Sequence, residues 1–288
     1  MKICLIIIYY NEYRYLDKLF SSLATQTVKP DKIVFVNNGA KEDPMDIVKK
    51  FNKKLDIEYI KLPENLYFTR GMNIGIRWAL QTDVELFGFM NSDMWCDKNM
   101  IEEIENHFEA NKNVVALTPN IRDLEDTKNV FYPIKYDGIF MSARPACYTV
   151  DCETDFMTGA SMFVRTDVLE DIGLFYEPYI HGTEDFEFCD KLKAKGKLKY
   201  IFSTSIHHQS DPLKKNKVSL ELEKLNSKNW YIYCLRNKKS NLILFKLAFF
   251  KNLLDMLKGD EVAKYRFWGK VEGLKETWFH LTNKDKFL

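Results

Sequence analysis

The first 118 residues alternate between short apolar runs and segments with helical spacing. Residues 2–8 and 32–36 are apolar runs of strand length, and between them apolar residues recur every three or four positions over residues 13–24. Strands that are apolar on both faces are typical of a parallel sheet covered by helices on both sides. The pattern therefore predicts a doubly wound α/β unit, whose ligands bind beyond the carboxyl ends of the strands.

The same alternation predicts the remaining elements of this part of the chain. They are helices over residues 45–52, 69–80 and 98–110, and strands over 57–61, 114–118 and the segment that ends at Asp93. Residues 120–156 are less regular, and we expect short antiparallel strands there. Further on, the pattern predicts strands over 161–165 and 199–202 and a helix over 183–194.

From residue 213 the chain becomes helical, aromatic and basic. We therefore predict an α/β domain over residues 1–212 and a helical extension over residues 213–288. Within the first domain, residues 1–118 form one half, and residues 119–212 form the other. Residues 241–258 project as an amphipathic helix, which either packs on the first domain or lies on a membrane surface.

The charge of the chain is balanced overall and uneven along its length. The 288 residues carry a formal net charge of +1, and 46% of them are hydrophobic, which is enough for a sizeable core. Residues 212–288 carry 17 Lys and Arg against 8 Asp and Glu, whereas residues 1–211 carry 25 against 33. The overall balance argues against a nucleic-acid partner, while the basic end favours an anionic surface.

The cysteines and the hydropathy favour a cytoplasmic protein. The six cysteines form no CxxC pair and no zinc spacing, so we expect reduced thiols in a reducing compartment. The apolar start of the chain is broken after Ile8 without a small-residue cleavage site, which favours a buried strand over a signal peptide. No run of about 18 apolar residues predicts a membrane span.

Two acidic sites stand out. Asn91-Ser92-Asp93 ends an apolar strand, where Asp93 either caps a turn or ligates Mg²⁺ or Mn²⁺ that bridges a diphosphate. Glu184-Asp185 opens a helix behind Gly182-Thr183, where the two carboxylates either favour the helix dipole or include a general base.

Two further segments have both a structural and a functional interpretation. His207-His208 follows a β-like stretch, and because side chains alternate along a strand, at most one of these histidines faces a site. The segment from Asn65 to Gly75 places Arg70 and Asn73 around a helix start, which suits either helix capping or an anionic diphosphate. No G-x-G-x-x-G follows the first strand, so classical dinucleotide binding is disfavoured.

Together these motifs resemble family 2 glycosyltransferases of GT-A fold, particularly the rhamnosyltransferase-like branch, over roughly residues 1–240. The order of the motifs carries the resemblance. It comprises Tyr10-Asn11, Val36-Asn37-Asn38-Gly39, Asn65 to Gly75, Asn91-Ser92-Asp93, Gly159-Ala160, Gly173 to Glu177, Glu184-Asp185, His207-His208 and Trp230 to Asn237. Three residues depart from the family pattern: Asn37 stands where the family has an Asp that reads the base, and Tyr67 and Arg70 stand where it has glycines.

The resemblance implies a Rossmann-like, mostly parallel sheet flanked by helices and an inverting, metal-dependent transferase. It implies Asp185 as the general base, with Glu184 orienting the acceptor or tuning Asp185. Asp93 and His208 (His207 as the alternative) would hold Mg²⁺ or Mn²⁺. The implied nucleotide-sugar contacts are Tyr10, Glu12, Asn37, Arg70, Asn73, Asn91 and Ser92, and the implied acceptor contacts are Gly159, Ala160 and His181.

The expected partners are a UDP- or dTDP-sugar donor and a glycan or lipid-linked acceptor of cell-surface polysaccharide or glycan synthesis. The membrane surface is a further candidate partner through residues 241–258, which would make the protein peripheral on the cytoplasmic face. Two rival functions remain at this point. One is a sugar-phosphate nucleotidyltransferase, and the other is a non-catalytic carbohydrate-binding or scaffold protein on the same fold.

Overall fold

The structure of the chain is a computed structural model. The structure describes residues 1–123, 133–136, 143–145, 149–180, 182–208, 219–237 and 242–282. These residues form two compact units. The sheet unit comprises Met1–Glu177 with Phe188–Asp211, and the helical unit comprises Pro178–Glu187 with Pro212–Leu288.

Four parallel strands form the first half of the sheet unit. They are β1 (Ile3–Tyr9), β2 (Lys32–Asn37), β3 (Ile57–Lys61) and β4 (Leu86–Asn91). β1 lies in the centre, hydrogen-bonded to β2 on one side and to β4 on the other, while β3 pairs with β2. All of β1 is buried, which explains its unbroken apolar run.

Helices cover both faces of these strands. They are α1 (Tyr13–Ala24), α2 (Met45–Phe51), α3 (Tyr67–Ala79) and α4 (Met100–Ala110). Leu5 and Ile7 of β1 share a core with α1, α2 and α4, whereas Ile6 and Ile8 share a second core with α3. The alternation of side chains along the strand thus divides the interior into two layers.

The second half of the sheet unit continues the same sheet. Its strands are β5 (Met94–Cys96), β6 (Val114–Asp123), β7 (Ile134–Tyr136), β8 (Ala143–Pro145), β9 (Cys152–Thr154), β10 (Ser161–Arg165) and β11 (Lys197–His208). Among the described residues the strand order is β3-β2-β1-β4-β10-β6-β11-β5, β9 pairs with β11, and β7 pairs with β8. β10 runs antiparallel to both of its neighbours, β4 and β6.

Several boundaries differ from the sequence-based prediction. The strand expected to end at Asp93 ends at Asn91, because Ser92 and Asp93 form the turn into β5. The strand expected over 199–202 extends to His208, because its second half pairs with β5 and β6. The pattern also missed α5 (Thr166–Ile172), while α6 (Glu184–Lys193) agrees with the predicted helix to within a residue at either end.

The helical unit is built on α7 (Leu220–Arg236), α8 (Leu242–Leu257) and α9 (Glu261–Thr282). A Cβ on Gly269 would lie 2.1 Å from the carbonyl oxygen of Lys224, so glycine lets α9 approach α7 closely. Arg266 also contacts Glu223 across these helices at 2.8 Å. In the part of the chain that the structure describes, no helix combines the length and hydrophobicity of a membrane span.

The described cysteines agree with the predicted reduced state except at one position. Cys4, Cys96, Cys189 and Cys234 are buried thiols outside any disulfide, as predicted. Cys152 is disulfide-bonded, so the prediction that all six cysteines are reduced is wrong for this residue.

Candidate active site

The strand order of the sheet unit creates a crevice beyond the carboxyl end of β1. The chain proceeds outward from β1 to β2 and β3, then returns to the other side of β1 as β4. Ligands of open α/β sheets bind at such a reversal, where the loops on either side diverge. Tyr10 follows β1 at this point, and Ser92 and Asp93 follow β4.

Asp93 and His208 are brought together by strand pairing. β5 runs antiparallel to the end of β11, with Met94 opposite His208, so Asp93 lies beside that histidine. The His208 Nε2 atom is 3.3 Å from Asp93 Oδ2. Among the described residues, Asp93 Oδ1 is one of the buried side-chain oxygens that accept no hydrogen bond. A buried carboxylate oxygen left in this way costs free energy unless something else, such as a cation, binds it.

His207 makes different contacts. Its Nε2 atom lies 2.8 Å from Asp97 Oδ1, and its ring stacks on Trp95 with centroids 5.9 Å apart. The Lys18 Nζ atom lies 3.3 Å from the centroid of the same Trp95 ring. Successive strand residues point to opposite sides, so the alternation that was expected from the sequence separates the two histidines.

The residues around Asp93 suit a cation that is completed by substrate. No group of three or more His, Cys, Asp or Glu within the described ranges could hold a metal ion alone. Mg²⁺ characteristically binds one or two carboxylates together with substrate phosphates, and Mn²⁺ accepts carboxylate and imidazole ligands. Asp93 and His208 therefore fit such an ion as a partial ligand set.

Glu12 connects the two sides of the crevice. Its Oε2 atom accepts hydrogen bonds from the Tyr10 backbone N–H at 3.0 Å and from Ser92 Oγ at 3.2 Å. The intervening Asn11 has a φ of +65°, a conformation that asparagine tolerates better than most residues. Glu12 thus holds the end of β1 against the turn that carries Asp93.

Asn37 lies within the protein. Its side chain is fully buried, Nδ2 donates to the Tyr59 hydroxyl at 2.8 Å, and Oδ1 accepts from the Ala40 N–H at 2.9 Å. The amide therefore has a partner at each end, Tyr59 of β3 for its nitrogen and the loop after β2 for its oxygen. A contact between this amide and a nucleotide would first require it to leave both partners.

Asn73 is likewise used internally, whereas Arg70 is exposed. Asn73 Nδ2 donates to the Phe175 carbonyl at 2.9 Å and to Glu177 Oε1 at 3.2 Å. Burial raises the pKa of Glu177, but hydrogen bonds from Arg77 and Asn73 and the charge of Arg70 outweigh it, so the net pKa is lowered. Asn73 therefore anchors the loop before Pro178 to α3.

Two residues predicted to contact the acceptor lie beside β4. The carbonyl of Ala160 accepts a hydrogen bond from the Asn91 N–H at 3.1 Å, and the preceding Gly159 is buried. This contact places the loop before β10 next to the strand end that leads to Asp93. His181, the third predicted acceptor contact, lies outside the described residues.

Glu184 and Asp185 occupy the first turn of α6, in the helical unit. Gly182 and Thr183 precede them with φ values of +75° and +77°, and the Thr183 carbonyl accepts hydrogen bonds from the N–H groups of Phe186 and Glu187. Glu184 is buried and Asp185 is half-buried. The helix therefore begins at a fixed position, with both carboxylates in its first turn.

Residues that sequence reasoning missed support this turn. The buried carboxylate of Glu187 accepts a hydrogen bond from the Tyr179 hydroxyl at 2.6 Å and contacts Arg236 of α7 at 3.3 Å. Asn229 of the same helix donates to the Gly182 carbonyl at 3.3 Å. In the sequence, the only sign of these contacts is that the polar residues Asn229 and Arg236 lie in the segment predicted to be helical.

Comparison with known proteins identifies the family. The model of "Glycosyl transferase family 2" matches residues 4–173, more than half of the chain. The chain belongs to glycosyl transferase family 2. The sheet, its strand order and the helices on both faces accordingly form the GT-A fold of a glycosyltransferase.

The chain is also distantly similar to individual proteins of known sequence or structure. A chondroitin synthase of Pasteurella multocida (strain Pm70) is 25% identical over 266 residues, which cover 78% of this chain and 27% of that protein. The crystal structure of S. aureus TarS 1–349 in complex with UDP-GlcNAc matches with a TM-score of 0.58 at 18% identity, covering 80% of this chain and 66% of that one. The crystal structure of GalNAc-T7 with UDP, GalNAc and Mn²⁺ matches with a TM-score of 0.63 at 13% identity. This match covers 98% of this chain and 57% of that one.

Proposed function

We propose that this glycosyltransferase uses a UDP- or dTDP-sugar donor, with rhamnose among the candidate sugars. The acceptor is a hydroxyl of a glycan or of a lipid-linked saccharide in cell-surface polysaccharide or glycan synthesis. The observation that carries the proposal is the contact between Asp93 and His208 at the strand-order reversal of a family 2 domain. The nucleotide and sugar complexes of TarS and GalNAc-T7 support a donor of this class.

Asp93 and His208 are proposed to hold Mg²⁺ or Mn²⁺, with Ser92 and Asn91 in the turn that positions Asp93. An ion held there would supply positive charge that offsets the negative charge of the leaving diphosphate. Tyr10 and Glu12 are proposed at the nucleotide end, and exposed Arg70 supplies a guanidinium for the diphosphate. Asn37 and Asn73 are proposed to support this site indirectly, Asn37 by stabilising the loop after β2 and Asn73 by holding the loop before Pro178 against α3.

Asp185 is proposed as the general base. It takes the proton of the acceptor hydroxyl while that oxygen forms a bond to the anomeric carbon. The bond between the anomeric carbon and the diphosphate breaks on the opposite face, and the nucleoside diphosphate leaves with the bonding electrons. The configuration at the anomeric carbon is therefore inverted. Glu184, Gly159 and Ala160 are proposed to orient the acceptor.

The proposed donor class is tested by incubating the protein with Mn²⁺ and a panel of UDP-, dTDP- and GDP-sugars. We expect slow hydrolysis of at least one UDP- or dTDP-sugar, with release of the nucleoside diphosphate. Pyrophosphate released from a sugar phosphate and a nucleoside triphosphate would identify a nucleotidyltransferase instead. Neither turnover nor thermal stabilisation by any nucleotide would favour a non-catalytic binding or scaffold protein.

The exposed face of α8 also enters the proposal. Four large apolar residues on this helix are 55–72% exposed, namely Leu247, Phe250, Leu254 and Leu257. Their spacing of three, four and three residues places them on one narrow stripe, since a helix turns once in about 3.6 residues. We call this set the α8 stripe.

Lysines border the α8 stripe on both sides. By helical position Lys246 lies on one side, and Lys251 and Lys258 lie on the other, all of them exposed. Two copies of the helix paired through the stripe would bring these like charges together, which disfavours a self-complementary interface. Anionic lipid accepts both the apolar stripe and the lysines, each of which contributes about 1 kcal/mol near such a surface. We therefore propose peripheral attachment to the cytoplasmic face of a membrane through residues 241–258.

Vesicle binding tests this attachment. The double variant Phe250→Ser/Leu254→Ser should bind phosphatidylglycerol-containing vesicles at least about tenfold more weakly than the unchanged protein, because both side chains lose their buried area. Leu274→Ser, an exposed apolar residue of α9, serves as the matched control and should bind normally. If the double variant bound vesicles as well as the unchanged protein does, attachment to lipid would be contradicted. It would also be contradicted if the unchanged protein were a dimer and the double variant a monomer.

A further inference from the structure

Tyr67, the first residue of α3, has an unfavourable backbone conformation. Its φ is +61°, in the left-handed region where a bulky side chain crowds the following carbonyl. Glycine adopts this conformation without that cost. The Tyr67 side chain is 51% exposed, so burial of the ring in the core does not compensate. Such an outlier motivates a functional explanation.

Two asparagines hold Tyr67 in place. The Tyr67 N–H donates to Asn65 Oδ1 at 2.8 Å, and its carbonyl accepts from Asn38 Nδ2 at 3.0 Å. Asn38 Nδ2 also lies 3.0 Å from Asn65 Oδ1, so the three residues form one network. Asn38 is buried directly after β2. Both backbone groups of Tyr67 are therefore satisfied by side chains that fix the strained conformation.

The course of α3 places Tyr67 at the rim of the crevice. A Cβ on Gly75 would lie 2.5 Å from Ile6 Cγ2, and one on Gly71 would lie 2.7 Å from Ile8 Cδ1. Toward its N-terminus the helix therefore runs in the direction of the carboxyl end of β1. Tyr67 is one turn further, about 6 Å along the axis, which takes it past the strand end.

Exposure of large apolar side chains supports the same position. Within the described residues of the sheet unit, the exposed large apolar side chains are Tyr10, Tyr67 and Val150. Tyr10 follows β1, and Tyr67 is bonded to the loop after β2. Two exposed aromatic rings thus stand at the carboxyl edge of adjacent strands. Asp93, which follows β4, lies on the other side of β1.

We propose that the ring of Tyr67 stacks on the nucleobase of the donor and that its strained backbone is retained for this contact. The inference rests on the proposed nucleotide-sugar donor and names a residue that selects it. If the diphosphate lies at Asp93, the nucleoside extends across β1 toward β2, where Asn38 and Asn65 hold Tyr67. An aromatic ring stacks on the planar face of a base without needing a hydrogen-bond pattern.

Two variants of Tyr67 separate this role from a structural one. Tyr67→Gly should weaken UDP or dTDP binding about tenfold in calorimetric titrations with Mn²⁺, because stacking is lost. The same variant should raise the Tm of the ligand-free protein by about 2–4 °C, because the backbone strain is relieved. Tyr67→Phe keeps both the ring and the strain, so its affinity and Tm should match the unchanged protein.

The outcomes also distinguish this inference from the proposed donor. Unchanged UDP affinity in Tyr67→Gly overturns the stacking role, and reduced affinity for UDP-sugar alone would move the contact from the base to the sugar. If the unchanged protein binds none of UDP, dTDP and GDP, the proposed donor class fails instead. Tyr67→Asn, which tolerates the left-handed conformation, provides the same affinity comparison should Tyr67→Gly fold poorly.

Discussion

Asp185→Asn should lower the rate of sugar transfer by about 10²–10⁴-fold, the contribution typical of a general base. Asparagine has nearly the same size and keeps a polar group in the first turn of α6, but it cannot take a proton from the acceptor hydroxyl. The measurement is the transfer rate with a saturating donor and a defined acceptor, together with the Kd of the donor. Donor affinity should change little, because the proposed role of Asp185 concerns the acceptor.

Asp190→Asn is the matched control for this substitution. Asp190 lies five residues further along the same helix, is half-buried, and has no proposed role in proton transfer. The same change from carboxylate to amide there should leave the transfer rate within a few-fold of normal. Near-normal transfer by Asp185→Asn, or an equal loss in both variants, would remove Asp185 from the role of base.

The helices and strands of the first half could be predicted because local pattern determines them. The spacing of Leu16, Leu19, Phe20 and Leu23 predicts α1 with the bounds that the structure has. The direction of a strand is not determined by the local sequence, because the apolar run Ser161–Arg165 could form either a parallel or an antiparallel strand. Its antiparallel direction follows from its pairing with β4 and β6, which lie far away in sequence.

The sequence predicts which types of residue form the candidate site, but it does not predict which of them contact one another. Alternation along a strand predicts different surroundings for His207 and His208, but it is the register with β5 that puts His208 beside Asp93. Asn37 and Asn73 illustrate a different limit, because the polarity of an asparagine in the sequence does not distinguish a contact with a ligand from a hydrogen bond within the protein. Both amides are satisfied within the protein. The left-handed backbone of Tyr67 depends on Asn38 and Asn65, and no local pattern of the sequence reveals it.

Asp93→Asn should abolish the Mn²⁺-dependent stabilisation of the protein by UDP or dTDP and lower transfer by about 10²–10³-fold. That loss is typical when one group that stabilises developing charge is removed. The amide keeps the size of Asp93 and one acceptor oxygen, but it lacks the negative charge that favours a divalent cation. Thermal denaturation with nucleotide, with and without Mn²⁺, measures binding independently of turnover, because a ligand that binds only the folded state raises its stability.

The adjacent aspartate and histidine pairs make this prediction specific. His208→Asn should behave like Asp93→Asn, because His208 Nε2 lies 3.3 Å from Asp93. Asp97→Asn and His207→Asn disrupt the neighbouring contact, whose Nε2 to Oδ1 distance is 2.8 Å, and should retain the Mn²⁺-dependent shift even where the baseline Tm falls. The two pairs flank the same strand, β5, so general damage to that strand would affect all four variants alike. If all four variants lost the Mn²⁺-dependent shift in Tm, Asp93 would have a structural role. If Asp93→Asn kept that shift, the cation would bind elsewhere.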